Sequence, residues 1–251
     1  MTWSLLAREP DGTFGVAIAS RFFAVGALCV YTRRAVGALS TQALMNPLYG
    51  GQGIELRASG ASADDVVQRL TAADEGRAQR QLHVVGAHGG PAAWTGEQCI
   101  DWCGHAVHDD FSVAGNMLAG PEVLAATVAA FVAARGRPLG ERLLAALAAG
   151  DAAGGDKRGK QAAALRLHGD DDYPRLDLRV DDHAEPIDEL RRLYDKSFER
   201  FQPFVACLAS RRDPVGLLHR DEIEARIEAM LQARASAPTV PSAVLPEVPR
   251  P

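Results

Sequence analysis

The segment TWSLLAREPDGTFGVAIAS, residues 2–20, constrains the fold more than any other part of the chain. Residues 2–9 form a strand-like run that starts almost at the first residue. Pro10-Asp11-Gly12 then supplies turn chemistry, and residues 13–20 form a second apolar run. Proline presets the first corner of a turn and glycine accepts a positive φ, so the reading is strand, turn, strand. Both runs are apolar on two faces rather than alternating, which predicts a sheet covered on each side. A third run of small, β-compatible residues spans 35–42.

Further along, 46–60 (NPLYGGQGIELRASG) reads as a loop-rich stretch with one proline and four glycines. Ser62 followed by Asp65 predicts a capped helix over 63–73. Residues 82–87 and 92–95 read as a hairpin around His88-Gly89-Gly90-Pro91, and 111–118 as another strand. A helix opens at Gly120-Pro121-Glu122 and stops at Gly136, and a second runs from Pro138 to Ala149 before Gly150. Strands over 161–168 and 176–181 complete the main unit. Segments 185–195, about 197–210 and 220–234 read as helical, and the Pro-rich stretch from Ala235 reads as a disordered tail. The expected domains are therefore 1–195, a helical extension over 196–234 and a tail over 235–251. The order of the main unit, strands, helix, strands, a helix pair and strands again, suggests sheets in the middle with helices outside.

With 251 residues, 47% hydrophobic and 24% charged, the chain can fill a large core. A net charge of −5 and a pI near 5.8 argue against nucleic acid or an anionic membrane surface as partner. No apolar run is long enough for a transmembrane helix, and Arg8 and Glu9 interrupt any signal-peptide core. A cytoplasmic protein is expected. Its four cysteines, Cys29, Cys99, Cys103 and Cys207, are expected as reduced thiols.

Several motifs compete as carriers of chemistry. Gly154–Gln161 (GGDKRGKQ) matches most of a phosphate-loop pattern, but Gln161 stands where a Ser or Thr would hold magnesium. The stretch also follows a helix and precedes a strand, the reverse of what phosphate binding at a helix N-terminus needs. Cys99, Cys103, His105 and His108 offer metal-ligand types at a spacing that fits no standard zinc module, so buried thiols and hydrogen-bonded histidines are expected there. Asp181-Asp182-His183 reads as a strand-end charge cluster. No G-x-S-x-G elbow is present. Thr2 differs in kind. Methionine removal before a small residue would place a hydroxyl and a free α-amine on one residue. That amine, with a pKa of about 7.7–8.0, can take the hydroxyl proton directly or through one water.

Beyond these readings, TWSLLAREPDGTFGVAIASRFFAVGA, GALSTQALMNPLYGGQGIELRASGASADDVV, QLHVVGAHGGPAAWTGEQCIDWCGH, VAGNMLAGPEV, AAGGDKRGKQAAAL and LDLRVDDHAEPIDELRRL occur in order. Together they resemble an uncharacterised bacterial family classed with the Ntn (N-terminal nucleophile) hydrolases, over about residues 2–195. The resemblance implies an α+β fold, a four-layer αββα sandwich, here with a C-terminal helical extension. On such a fold Thr2 would stand at the open end of a central strand, with Ser20 ending the strand beside it. Arg33 or Arg34 would be the electrostatic partner of the α-amine, since a guanidinium stays charged and cannot act as the base. Threonine-nucleophile peptidases of this superfamily often carry a lysine in that region, and this chain has none before Lys157. Asn46 and Asn116 are the candidate oxyanion donors. Asp156, Arg158 and Ser20 are the candidate substrate contacts. The implied activity is amide hydrolysis of a small or linear substrate without metal or cofactor, in a protein compatible with a homodimer. A binding protein that keeps the fold and a metal-dependent hydrolase using Cys99–His108 are the rival readings.

Overall fold

A computed structural model describes residues 2–236, so the expected tail lies, from residue 237 on, outside the described residues. The chain begins with β1 (Thr2–Arg8) and β2 (Phe14–Ser20), followed by the short α1 (Val25–Leu28), β3 (Val30–Arg33) and β4 (Gly37–Ala43). Helices α2 (Leu48–Ala58) and α3 (Ala63–Ala72) lead to β5 (Arg80–Gly86), β6 (Ala92–Thr95), β7 (Trp102–Val107) and β8 (Phe111–Leu118). Helices α4 (Glu122–Ala133) and α5 (Leu139–Ala152), strands β9 (Ala162–His168) and β10 (Leu176–Val180), and helix α6 (Pro186–Ser197) come next. Two further helices, α7 (Phe201–Val205) and α8 (Arg220–Ser236), follow. The described residues divide into two compact units between Ser197 and Phe198.

The first unit is α+β with two antiparallel sheets. One has six strands in the order β10-β9-β2-β1-β8-β7, the other four in the order β3-β4-β5-β6. The opening turn forms as its residues dictate: Gly12 has φ of +86° and the Thr13 N–H donates to Asp11 Oδ1 at 2.9 Å. The predicted cap of α3 is present in full. Ser62 Oγ accepts from the Asp65 N–H at 3.0 Å, while Asp65 accepts from the Ser62 N–H at 3.1 Å.

The stretch 46–60, read as loop-rich, contains α2 instead. Its glycines are packing devices rather than breakers at two positions. A Cβ on Gly50 would fall 2.2 Å from the Tyr31 ring, and one on Gly53 would fall 2.4 Å from Leu39. Tertiary contact thus overrides poor helix propensity. In the second unit the helix expected over 197–210 closes only over Phe201–Val205, because Pro203 would clash inside a helix begun a turn earlier. Among the described residues no helix is long and apolar enough to cross a membrane.

Strand alternation sorts the core of the first unit. On β1, Thr2, Ser4 and Leu6 face the four-stranded sheet, while Trp3 faces α5, beside Gly150. Where the sheets meet, one half is apolar: Leu6, Phe14, Val16 and Ile18 pack with Val30, Ala38 and Val85. On the far side of the four-stranded sheet, Leu39, Leu82 and Val84 pack with Val66, Val67 and Leu70 of α3.

The other half of the inter-sheet layer is a buried polar seam. Ser4 Oγ donates to Gln42 Oε1 at 2.7 Å and lies 2.8 Å from His83 Nε2. Because the Ser4 proton goes to Gln42, His83 Nε2 carries a proton and donates, and Nδ1 accepts from Ser112 Oγ at 2.8 Å. Gln42 donates to Gln81 Oε1 at 2.7 Å, as does Asn116 at 3.0 Å. Gln81 Nε2 reaches Thr95 Oγ1 and the Gly115 carbonyl at 2.8 Å each.

Complete burial, with His105 nearby, pushes the His83 imidazole from its ordinary 6.5 down to about 3. Because the folded pKa is depressed, the stability His83 contributes is present above pH 6.5 and lost as pH falls toward 3. A single such group contributes a slope of at most about 1.4 kcal/mol per pH unit in that window. Urea unfolding at a series of pH values should therefore show a shallower acid loss in His83→Gln than in the parent, with lower stability at neutral pH. Equal slopes would contradict the buried neutral imidazole.

Candidate active site

The register of the six-stranded sheet creates a convergence at one end. Thr2, the first described residue of β1, pairs with Ser20 of β2 on one side and Asn116 of β8 on the other. All three are buried. Thr2 Oγ1 lies 3.0 Å from Ser20 Oγ. The Asn116 amide points at the Thr2 carbonyl at 3.4 Å as well as at Gln81, so it anchors this strand end to the polar seam.

The Gly-rich turn 154–161 closes the same end. It runs from α5 to β9, and Gly154, Gly155 and Gly159 take φ of +113°, +46° and +94°. Asp156 bridges to Leu118 of β8, and the Gln161 N–H donates to the Ser20 carbonyl at 2.9 Å. The Asp156 carboxylate accepts from the Arg21 N–H at 3.0 Å and the Arg158 N–H at 2.8 Å. Burial pushes the Asp156 carboxyl up, against the opposing pull of those two N–H groups and of the Arg158 guanidinium 3.7 Å away. Arg158 is half-exposed and presents its guanidinium at the rim.

Two predicted residues sit differently. Asn46 follows the end of β4, and its carboxamide is engaged locally: Oδ1 accepts from the Leu48 N–H and Nδ2 donates to Asp74. Arg33 is at the opposite end of the molecule from Thr2. It pairs with Gly37, which pairs with Gly86, whose carbonyl accepts from Arg8 at the far end of β1. A seven-residue strand places those ends roughly 20 Å apart. Arg33 instead pairs with Glu55 at 2.9 Å, and Arg34 with Asp170 at 3.0 Å.

The rival motifs are also placed. Cys103 Sγ points at the Cys99 carbonyl, His105 Nδ1 lies 2.8 Å from Thr95 Oγ1, and His108 stacks on Phe111. Among the described residues no group of three or more His, Cys, Asp or Glu is arranged to hold a metal ion. Lys160 is clasped by Asp151 and Glu185 rather than presented to a ligand.

Sequence reasoning missed Gln42, Gln81 and His83, which fix the Asn116 side of the site. The available signal was the alternation of Gln81 and His83 with Leu82 and Val84 at the start of a stretch read, from residue 82, only as one arm of a hairpin.

Removing the Asp156 carboxylate leaves two N–H groups at a buried strand end without their acceptor. Asp156→Ala should lower stability by about 1–3 kcal/mol in urea unfolding. A change within error would show that the turn closes without it.

Residues 2–190 match the model of a family of unknown function, DUF1028. The chain is also similar to a protein of that family from Silicibacter pomeroyi (SPO2555) known from its crystal structure. The two are 31% identical, with a TM-score of 0.81, over 87% of this chain and 96% of the other. No curated protein matches at a significant level. The family match spans most of the chain and its core elements, so this protein belongs to the DUF1028 family.

Proposed function

We propose that the chain is an N-terminal-nucleophile amidohydrolase built on an Ntn-like four-layer αββα sandwich. The observation that carries this reading is the placement of Thr2, first residue of a central strand, against Ser20 and Asn116 at one sheet end. The packing supports it too. Helices α2 and α3 contact the four-stranded sheet, α4, α5 and α6 contact the six-stranded one, and β1 contacts β4 and β5 across the middle.

In this reading Met1 is removed and the Thr2 α-amine takes the proton of Oγ1, directly or through water. The oxygen attacks the amide carbonyl, and the tetrahedral intermediate collapses as the leaving amine takes up that proton. Water then hydrolyses the ester to free the acid and restore the hydroxyl. Ser20, 3.0 Å from Thr2 Oγ1, orients the nucleophile. Asn116 is bonded to the Thr2 carbonyl and Gln81, so its part is to hold the strand end. Oxyanion stabilisation then falls to backbone N–H groups. Arg158 at the rim contacts a polar part of the substrate. The substrate is a small or linear amide, no metal or cofactor takes part, and the protein works in the cytoplasm, as a homodimer.

The test is labelling of the isolated protein with a broad electrophilic amide-hydrolase probe, mapped by peptide mass spectrometry. The adduct is expected on Thr2, retained in Thr2→Ser and absent in Thr2→Ala. An adduct elsewhere, or none on folded protein, would overturn the assignment.

A further inference from the structure

Far from Thr2, a cleft of about 420 Å³ opens between β3, the glycine face of α2 and the end of β9. Its wall includes Arg33, Arg34, Gly51, Arg166 and His168, together with the acidic residues Glu55 and Asp172. We propose that this cleft is a binding site for a small oxyanion-bearing molecule, a carboxylate or a phosphate ester, gripped by Arg33 with Arg34 and Arg166 beside it.

The volume lies in the range of small-ligand sites. Three arginines from two parts of the chain, the adjacent Arg33 and Arg34 and Arg166 of β9, line one concavity, and a guanidinium suits planar, bidentate recognition of carboxylate or phosphate. Arg166 is fixed in place, donating to Asp177 through Nε at 3.0 Å and Nη2 at 2.7 Å, and to the Val30 carbonyl at 3.1 Å. Arg34 is held by Asp170. Arg33 is the exchangeable group. Its Nη1 donates to Glu55, its other N–H groups make no hydrogen bond among the described residues, and the two side chains are 48% and 74% exposed. An ion pair so exposed contributes little, so a ligand oxyanion can displace Glu55 at small cost.

The helix supplies independent support. Gly50 and Gly53 of α2 are explained by the side chains they admit, but a Cβ on Gly51 would meet nothing within 4 Å. A glycine inside a helix costs about 1 kcal/mol relative to alanine, and among the described residues no close neighbour of the missing side chain requires a glycine at Gly51. It lines the cleft, where the missing side chain keeps the backbone open to a ligand. His168 adds shape rather than charge. Its Nε2 donates to the Asp171 carbonyl at 3.1 Å, its Nδ1 accepts from Thr32 Oγ1 at 2.9 Å, and burial holds its pKa down.

Isothermal titration of the full-length protein with inorganic phosphate and, separately, succinate, at matched ionic strength in chloride buffer, tests the site. Saturable binding of either anion is expected with Kd below about 1 mM. The arm that saturates distinguishes a phosphate from a carboxylate ligand. Arg33→Gln should weaken binding at least tenfold and Gly51→Leu should abolish it. Glu55→Gln, which removes the competing carboxylate, should tighten it several-fold. Absence of saturation by both anions, or unchanged affinity in Arg33→Gln and Glu55→Gln, would overturn the proposal, and both of those variants alter only exposed side chains.

Discussion

The polar seam between the two sheets is the constraint on which the arrangement of the first unit depends. Ser4, Gln42, Gln81, His83, Ser112 and Asn116 are all buried, and each side chain is hydrogen-bonded to another member. Such a network tolerates little error, because a buried polar group left unpaired costs more than its bond contributes. A slip of β1 by one residue would turn Ser4 toward the helices and Trp3 into the seam, so the seam fixes the register. It fixes the position of Thr2 with it, since Asn116 binds both Gln81 and the Thr2 carbonyl.

That register also separates two chemically different ends. At the Thr2 end the groups are hydroxyls, an amide and a buried carboxylate clasped by backbone N–H groups. At the Arg8 end, strand pairing gathers Arg33, Arg34, Arg166 and His168 around a cleft with the glycine face of α2. A strand-length away from Thr2, those arginines cannot tune an amine there. On the Gly-rich turn that closes the Thr2 end, Arg158 pairs with Asp156 and Arg21 donates to the Arg158 carbonyl.

The sequence revealed what is encoded locally. The Pro10-Asp11-Gly12 turn, the Ser62–Asp65 cap and the glycine after α4 each act within a few residues, and the elements they bound are where the pattern puts them. The α+β class was implied by the family resemblance, and the order of those elements is compatible with it. Helix α2 was hidden because its glycines look like loop chemistry until Tyr31 and Leu39 are known to need the space. Edge strands β3 and β7 are short and partly exposed, so neither carries a strong apolar signal. Of the predicted site residues, Thr2, Ser20, Asn116, Asp156 and Arg158 meet because two sheet registers and one turn coincide, and motif order along the chain pointed to them. Arg33 was placed by analogy to strand order, and pairing through Gly37 and Gly86 sends it to the other end.

The central claim is that Thr2 is the true first residue of the working protein. Intact-mass spectrometry of the untagged protein isolated from its own cells measures this directly. The account predicts a chain that begins at Thr2 with a free amine. A population that keeps Met1, or carries a blocked Thr2 amine, would contradict it and leave the site without its base.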